Sequence, residues 1–315
     1  MKEADNSGVR SPRLIAVIKG GLGNQLFAYA AARRLALVNG AELIIDDASG
    51  FSADAQYRRQ YALDHFHIHG RQATVRERLE PFSTVRRRGL RWLARHRPFA
   101  LRRYIEQEGV DFDARILKLR FRDCRFLEGY WQSERYFEDI EDIIRNDLRI
   151  VPPTDRENRN MAEKIADNTS VAIHIRWFDS PEDRQSPYNI SIDYYKRAIE
   201  ILERRLSAPH YFVFSDNPEA AVAKLPLTKD RMTLVAHNAN DGLAHADLWL
   251  MKQCQHFIIA NSTFSWWGAW LSENREKIVL APDLTIRKGK AAWGFDGLIP
   301  ASWELLSSSD ERAAA

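Results

Sequence analysis

A histidine and an arginine alternate along an apolar stretch, Val171-Ala172-Ile173-His174-Ile175-Arg176, and Asp179 follows three residues later. Successive side chains of a strand point to opposite faces, so His174 and Arg176 share one face while Val171, Ile173 and Ile175 fill the other. A guanidinium at the carboxyl end of a buried strand needs an anion, because leaving such a charge unpaired costs roughly 3–5 kcal/mol. A diphosphate meets that need, since the planar donor fork takes phosphate oxygens two at a time. The competing reading pairs Arg176 with Asp179 and leaves His174 as a satisfied core histidine.

Two further stretches offer amides and hydroxyls where a strand hands over to a helix. Asn261-Ser262-Thr263-Phe264-Ser265 follows the apolar run His256 to Ala260 and precedes a helical run beginning at Trp266. Ser, Thr and Asn cap helix starts, and a helix start is itself an anion site. Ser262, Thr263 and Ser265 are therefore phosphate-binding candidates, whereas Trp266 and Trp267 also suit a core. Gly20-Gly21-Leu22-Gly23-Asn24-Gln25 sits between the strand Leu14 to Ile18 and the helical run Gln25 to Val38. Its glycines admit a ligand close to the backbone. Leu26 stands where a dinucleotide fingerprint needs a third glycine and no Walker lysine follows, which disfavours nicotinamide and ATP binding. Ser215-Asp216, after the strand Tyr211 to Phe214, fits a ribose or a guanine edge and equally a helix cap before Pro218.

Other patterns carry less. His65, His67 and His69 alternate as on a strand face, but with no carboxylate or cysteine at fixed spacing they read as solvated, and no metal site is expected. Asp111-Phe112-Asp113 is expected to be a turn or cap. From Arg86 to Arg103, arginines are interleaved with Leu90, Trp92, Leu93, Phe99 and Leu101; a solvated face is expected, with a peripheral membrane contact as the second reading. No nucleic-acid module is present.

These groups must be held by strands and helices, and 315 residues suffice for two α/β units. The opening reads strand, glycine turn, helix, strand (Ala41 to Ile45), in the manner of a parallel sheet. Arg71 to Arg122 reads as mostly helical. Val151-Pro152-Pro153-Thr154 is the expected linker, since tandem prolines cannot continue a helix. Beyond it, strands at 171–176, 211–215, 233–236 and 256–260 alternate with helices at 194–206, 218–225 and 244–253. The polar run Met1 to Arg13 is neither a signal peptide nor a span. With only Cys124 and Cys254, the expected setting is the cytoplasm, at most peripheral on the inner membrane surface.

Four stretches together resemble the motifs of glycosyltransferase family 11, the α1,2-fucosyltransferase family: Gly20 to Phe27, Gly129-Tyr130-Trp131-Gln132-Ser133-Glu134-Arg135-Tyr136-Phe137, His174-Ile175-Arg176 with Asp179, and Asn261 to Gly268. They run in the family's order over nearly the whole chain. The resemblance implies a GT-B architecture with two Rossmann-like domains facing a cleft. Residues 1–150 would form an acceptor-side domain and residues 151–315 the donor domain. It implies GDP-β-L-fucose as donor, no cofactor and no metal, and inversion to an α-linkage at O2 of a terminal β-galactose. The acceptor would be an oligosaccharide or lipid-linked glycan, as in bacterial polysaccharide biosynthesis.

The same resemblance implies that Arg176 holds the leaving diphosphate, His174 and Asp216 the nucleoside, and residues 262–266 the phosphates; Ser215 and Asn261 are further donor-binding candidates beside them. Gly21, Gly23, Asn24 and Gln25 would lie near the reacting carbon, with Asn24 positioning the acceptor hydroxyl. Asp179 is the first candidate base, or else orients Arg176. Trp131, Gln132 and Trp177 would meet the acceptor. The family commonly reads His-x-Arg-Arg-Gly-Asp, whereas this chain has Trp177-Phe178 in place of the second arginine and glycine, which bears on the acceptor. The rivals are a GT-B enzyme of different linkage or nucleotide sugar and a non-catalytic nucleotide-sugar-binding or carbohydrate-binding protein.

Overall fold

The computed structural model describes residues 11–52, 58–183, 186–238, 241–289 and 291–307. Two parallel sheets divide the chain. The first comprises β1 (Arg13–Val17), β2 (Glu42–Asp46), β3 (Arg71–Gln72), β4 (Tyr104–Glu106) and β5 (Cys124–Glu128), in the order β3-β2-β1-β5-β4. The second comprises β6 (Ser170–Ile175), β7 (His210–Ser215), β8 (Met232–Val235), β9 (His256–Ile258), β10 (Val279–Asp283) and β11 (Glu304–Ser307), in the order β11-β10-β9-β6-β7-β8.

Parallel strands are covered on both faces, which explains why all six residues of β6 are buried. The covering helices are α1 (Leu22–Val38), α2 (Ser83–Arg95), α3 (Glu141–Asp147), α4 (Arg156–Ala166), α5 (Ile192–Arg205), α6 (Pro218–Lys224), α7 (Ala244–Met251) and α8 (Thr263–Leu271). α1 is apolar on nearly every side because it lies between the first sheet and α8. Its ionic grips are Arg33 on Asp147 at 2.7 Å and Arg34 on Asp139 at 2.7 Å. One apolar core runs from Leu14 and Phe27 through Trp266 and Trp267 to Ala172 and Phe212, so it joins both sheets. A second core lies under α5 and a third under α2.

Val151 to Thr154 carries no regular structure and joins α3 to α4, as tandem prolines require. Two expectations are corrected. The segment 71–122 is not mostly helical: it holds β3, β4, short 3-10 turns and only one α-helix, and β5 follows it. Strands of two or three residues have too little length to show alternation, and their neighbours in the sheet define them. His65 to His69 is no strand but a loop held by the bridge of Phe66 with Ile150 and by the Tyr29 hydroxyl, which accepts from the His69 N–H at 2.9 Å. His65 instead stacks on His245, ring centroids 3.4 Å apart. Among the described residues no three His, Cys, Asp or Glu gather as a metal cage, and no helix is long and apolar enough to cross a membrane. Asp113 caps a 3-10 turn, and Asp111 pairs with Arg287 at 2.7 Å.

Candidate active site

Strand register brings the polar residues of the second sheet to one level. Ile175 lies opposite Ser215 in the β6–β7 pair, so the next positions, Arg176 and Asp216, face each other. Their side chains form an ion pair at 2.9 Å. Ile173 lies opposite Ile258 in the β6–β9 pair, so the same offset sets Asn261 beside Arg176. All three stand at the carboxyl ends of their strands, where open α/β sheets take ligands.

The carboxylate on Arg176 is thus Asp216, where the sequence suggested Asp179. Asp216 also accepts the Trp177 backbone N–H at 3.1 Å. Burial raises its pKa, with the Arg176 charge opposing that shift. Arg59, from the loop after β2, adds a second positive charge near Asp216 from the other half of the molecule. Asp179 accepts from the Ser186 hydroxyl at 2.6 Å.

His174 is buried against Phe264, ring centroids 5.5 Å apart, and its Nδ1 has no protein partner. Burial, reinforced by the Arg176 charge, lowers its pKa to about 3, so the imidazole is neutral. Asn261 donates to the Tyr188 carbonyl at 2.9 Å while its Oδ1, also buried, has no protein partner. Buried polar atoms are normally satisfied. These two lie on neighbouring strands at the carboxyl end of the sheet, where a bound group can pair with them.

The glycine turn meets this place through α8. Ser262 caps α8, accepting from the Phe264 N–H at 3.3 Å. Thr263 donates its hydroxyl to Asn24 Oδ1 at 3.1 Å, and Gln132 donates its amide to the same oxygen at 2.7 Å. One side-chain carbonyl therefore gathers three motifs. Trp267 donates its indole N–H to the Gly23 carbonyl at 2.9 Å. A Cβ on Gly23 would lie 2.5 Å from the Thr263 carbonyl carbon and 2.7 Å from the Phe264 nitrogen, so only glycine lets the two helix starts touch. Gly21 is the N-cap of α1 with no side-chain cap, and a Cβ there meets nothing within 4 Å. The positive ends of two helix dipoles therefore converge on one open corner.

Several candidates lie elsewhere. Gln25, 1 % exposed, spends its whole amide as a brace, donating to the carbonyls of Gly20 and Gln60 and accepting from Ala62 N–H. Trp131, also 1 % exposed, packs edge-on against Tyr136 and has no face to offer a sugar. Trp266 is buried, its indole donating to the Leu298 carbonyl at 2.8 Å, and Ser265 is buried with its hydroxyl on the Ser262 carbonyl. These four support the site from behind. Ser215 accepts from the Asn217 N–H at 3.1 Å and starts the turn into α6. Trp177 stays half-exposed, with Lys224 Nζ 5.1 Å from its ring centre, and borders a cleft of about 650 Å³ lined also by Asp183, Asn189, Asp193, Lys196 and Leu284. Arg59 and the brace of Gln25 had no signal in the sequence beyond composition.

Comparison with known proteins bears on the family and the fold. The model of the family described as Glycosyl transferase family 11 matches residues 90–288. The O-antigen biosynthesis glycosyltransferase WbnK of Escherichia coli is 28 % identical over 290 residues, covering 84 % of this chain and 92 % of that protein. An alpha-1,2-colitosyltransferase of Escherichia coli is 27 % identical, covering 85 % of this chain and 91 % of that protein. In structure, the fucosyltransferase NodZ from Bradyrhizobium superposes with a TM-score of 0.51 at 15 % identity, over 82 % of this chain and 93 % of that one. The two parallel sheets are the GT-B arrangement. With a family match over more than half its length and that fold, the chain belongs to glycosyl transferase family 11.

Proposed function

We propose that this chain transfers L-fucose from GDP-β-L-fucose, with inversion and without a metal, to O2 of a terminal β-galactose on an oligosaccharide or lipid-linked glycan. The observation that carries the donor half is that Arg176 stands beside Asn261, which leads into the start of α8 where that helix touches the start of α1, with buried atoms of His174 and Asn261 left unpartnered. In this reading Arg176 and the free amides of α8 and α1 take the charge that builds on the departing diphosphate. Donors held in place before the reaction begins do more than any other single effect to lower a barrier of this kind. His174, as neutral imidazole, and the Ser215-Asp216 turn hold the nucleoside, with Arg59 closing from the other half.

The acceptor hydroxyl attacks the anomeric carbon on the face opposite GDP; the carbon–oxygen bond to the diphosphate breaks and GDP leaves with the electron pair. Asp179 takes the hydroxyl proton. Asn24, its carbonyl oxygen engaged by Gln132 and Thr263, turns its amide nitrogen to the reacting groups. Gln132 and Trp177 line the acceptor side. Residues 1–150 then supply acceptor contacts and residues 151–315 the donor site.

Calorimetry with GDP, UDP and ADP tests the base preference: GDP should bind at least tenfold tighter than UDP or ADP. Transfer is followed by fucose incorporation into a panel of β-galactosides in the presence of a chelator. No incorporation into any galactoside, or activity abolished by the chelator and restored by a divalent ion, removes the proposal. Because one relative is named for colitose, a GDP-colitose arm decides which sugar is preferred.

A further inference from the structure

α2 is built inside out. At 3.6 residues per turn, Arg87, Leu90, Arg91 and Ala94 share the side facing the first sheet. There Arg87 pairs with the buried Asp46, and Arg91 pairs with Glu128. The opposite side carries Val85, Trp92 and Leu93, with Phe82 just before the helix; they are 70 %, 62 %, 48 % and 73 % exposed. The helix thus turns Arg87 and Arg91 inward beside Leu90 and Ala94 while leaving Val85, Trp92 and Leu93 in water, where an ordinary surface helix would carry polar side chains.

Around the wheel, Arg86 borders this stripe on one side and Arg88 and Arg95 on the other, all exposed. Arg86 donates to the carbonyls of Leu79 and Glu80, and Arg95 reaches Glu106 only at 3.7 Å, so the rim keeps its positive charge. His96, at the end of the helix, packs edge-on against Trp92, ring centroids 4.9 Å apart.

The geometry points to an anionic lipid surface as the partner of this face. An exposed apolar patch rimmed by charge marks an interaction surface. Tryptophan and aliphatic side chains flanked by arginines suit the boundary between acyl chains and phosphate headgroups. A second copy of the chain would set one arginine rim against another, which like charges oppose. The inward arginines link the face to the cleft: Arg91 and Lys19 hold the same Glu128 carboxylate, and Gly20 follows Lys19. Under the transfer reading, docking through α2 therefore brings the glycine turn to acceptors carried on lipid.

The test is flotation of the full-length protein with vesicles of phosphatidylcholine alone or with an equal part of phosphatidylglycerol. The unmodified chain is expected to float only with the anionic vesicles, and to lose binding as salt rises. Val85→Ser/Trp92→Ser/Leu93→Ser should lower partitioning roughly tenfold or more, and Arg86→Glu/Arg88→Glu should abolish it. Both variants should keep the thermal midpoint and the turnover of a soluble acceptor. Failure of the unmodified chain to float, equal flotation with neutral vesicles, or unchanged flotation of the triple variant each overturns the proposal. So does a concentration-dependent dimer that the triple variant abolishes. Lipid preference and salt dependence are read on the unmodified chain without substrate, so they stand apart from variant folding and from the transfer reaction.

Discussion

Gly23→Ala tests whether the contact between the starts of α1 and α8 sets the rate. The new methyl carbon would lie 2.5 Å from the Thr263 carbonyl carbon and 2.6 Å from its oxygen. Carbon atoms rest near 3.5 Å or beyond, so the two helix starts must part by about 1 Å. Backbone cannot swing aside as a flexible side chain can. Overpacking of this kind costs about 1–3 kcal/mol, before any loss of the 2.9 Å Trp267 to Gly23 and 3.1 Å Thr263 to Asn24 hydrogen bonds. A displacement of about 1 Å at reacting groups lowers turnover about 100-fold. The assay pairs GDP release at saturating donor and acceptor with thermal unfolding. Gly21→Ala is the control, because a Cβ there meets nothing within 4 Å, so it should lower the unfolding midpoint only by the modest cost of alanine at an N-cap, less than Gly23→Ala does. If Gly23→Ala matches the parent in both midpoint and turnover, the helix contact has no part in positioning the site.

Arg176→Ala should lower turnover by about 100- to 1000-fold, and Arg176→Lys should recover only part, since a point charge cannot reproduce the fork; steady-state rates with GDP-fucose check both. Asp179→Asn should remove the acidic limb of the pH–rate profile, and an unchanged limb takes Asp179 out of proton transfer. Asp247, whose carboxylate accepts from Asn238 at 3.0 Å, is raised by burial to about 7 from 3.8. Between those values the folded chain keeps a proton that the unfolded chain has released, so its contribution to stability falls as pH rises, by about 4 kcal/mol in all. Asp247→Asn should therefore melt above the parent at pH ~8, with the difference vanishing near pH ~4, as read by thermal unfolding at each pH.

The parts of the site that lie close together in the chain were readable from it. Strand alternation puts His174 and Arg176 together, and cap chemistry marks the start of α8 at Ser262. What joins the parts was not readable, because Asn24 meets Gln132 and Thr263 across separations of 108 and 239 residues. Spacing along a motif also does not say which side chain faces outward. Gln25, Trp131 and Trp266 stand in motif stretches yet turn into the core, while Asp216, equally a cap by sequence, is the partner of Arg176. The arginines of α2 show the same limit: composition suggests a solvated face, and only the positions of Asp46 and Glu128 reveal that two of them point inward. β4 escaped notice because a three-residue run is a strand only by virtue of pairing with β5, and β5, as Cys124-Arg125-Phe126-Leu127-Glu128, has no sustained alternation to mark it.

The unbroken apolar layer from Leu14 and Phe27 through Trp267 to Ala172 and Phe212 also governs how the molecule comes apart. Each sheet owes part of its cover to side chains of the other, so neither retains a complete interior once its neighbour melts. Denaturant should accordingly produce one cooperative transition with a slope scaled to the whole chain, in place of two separate steps.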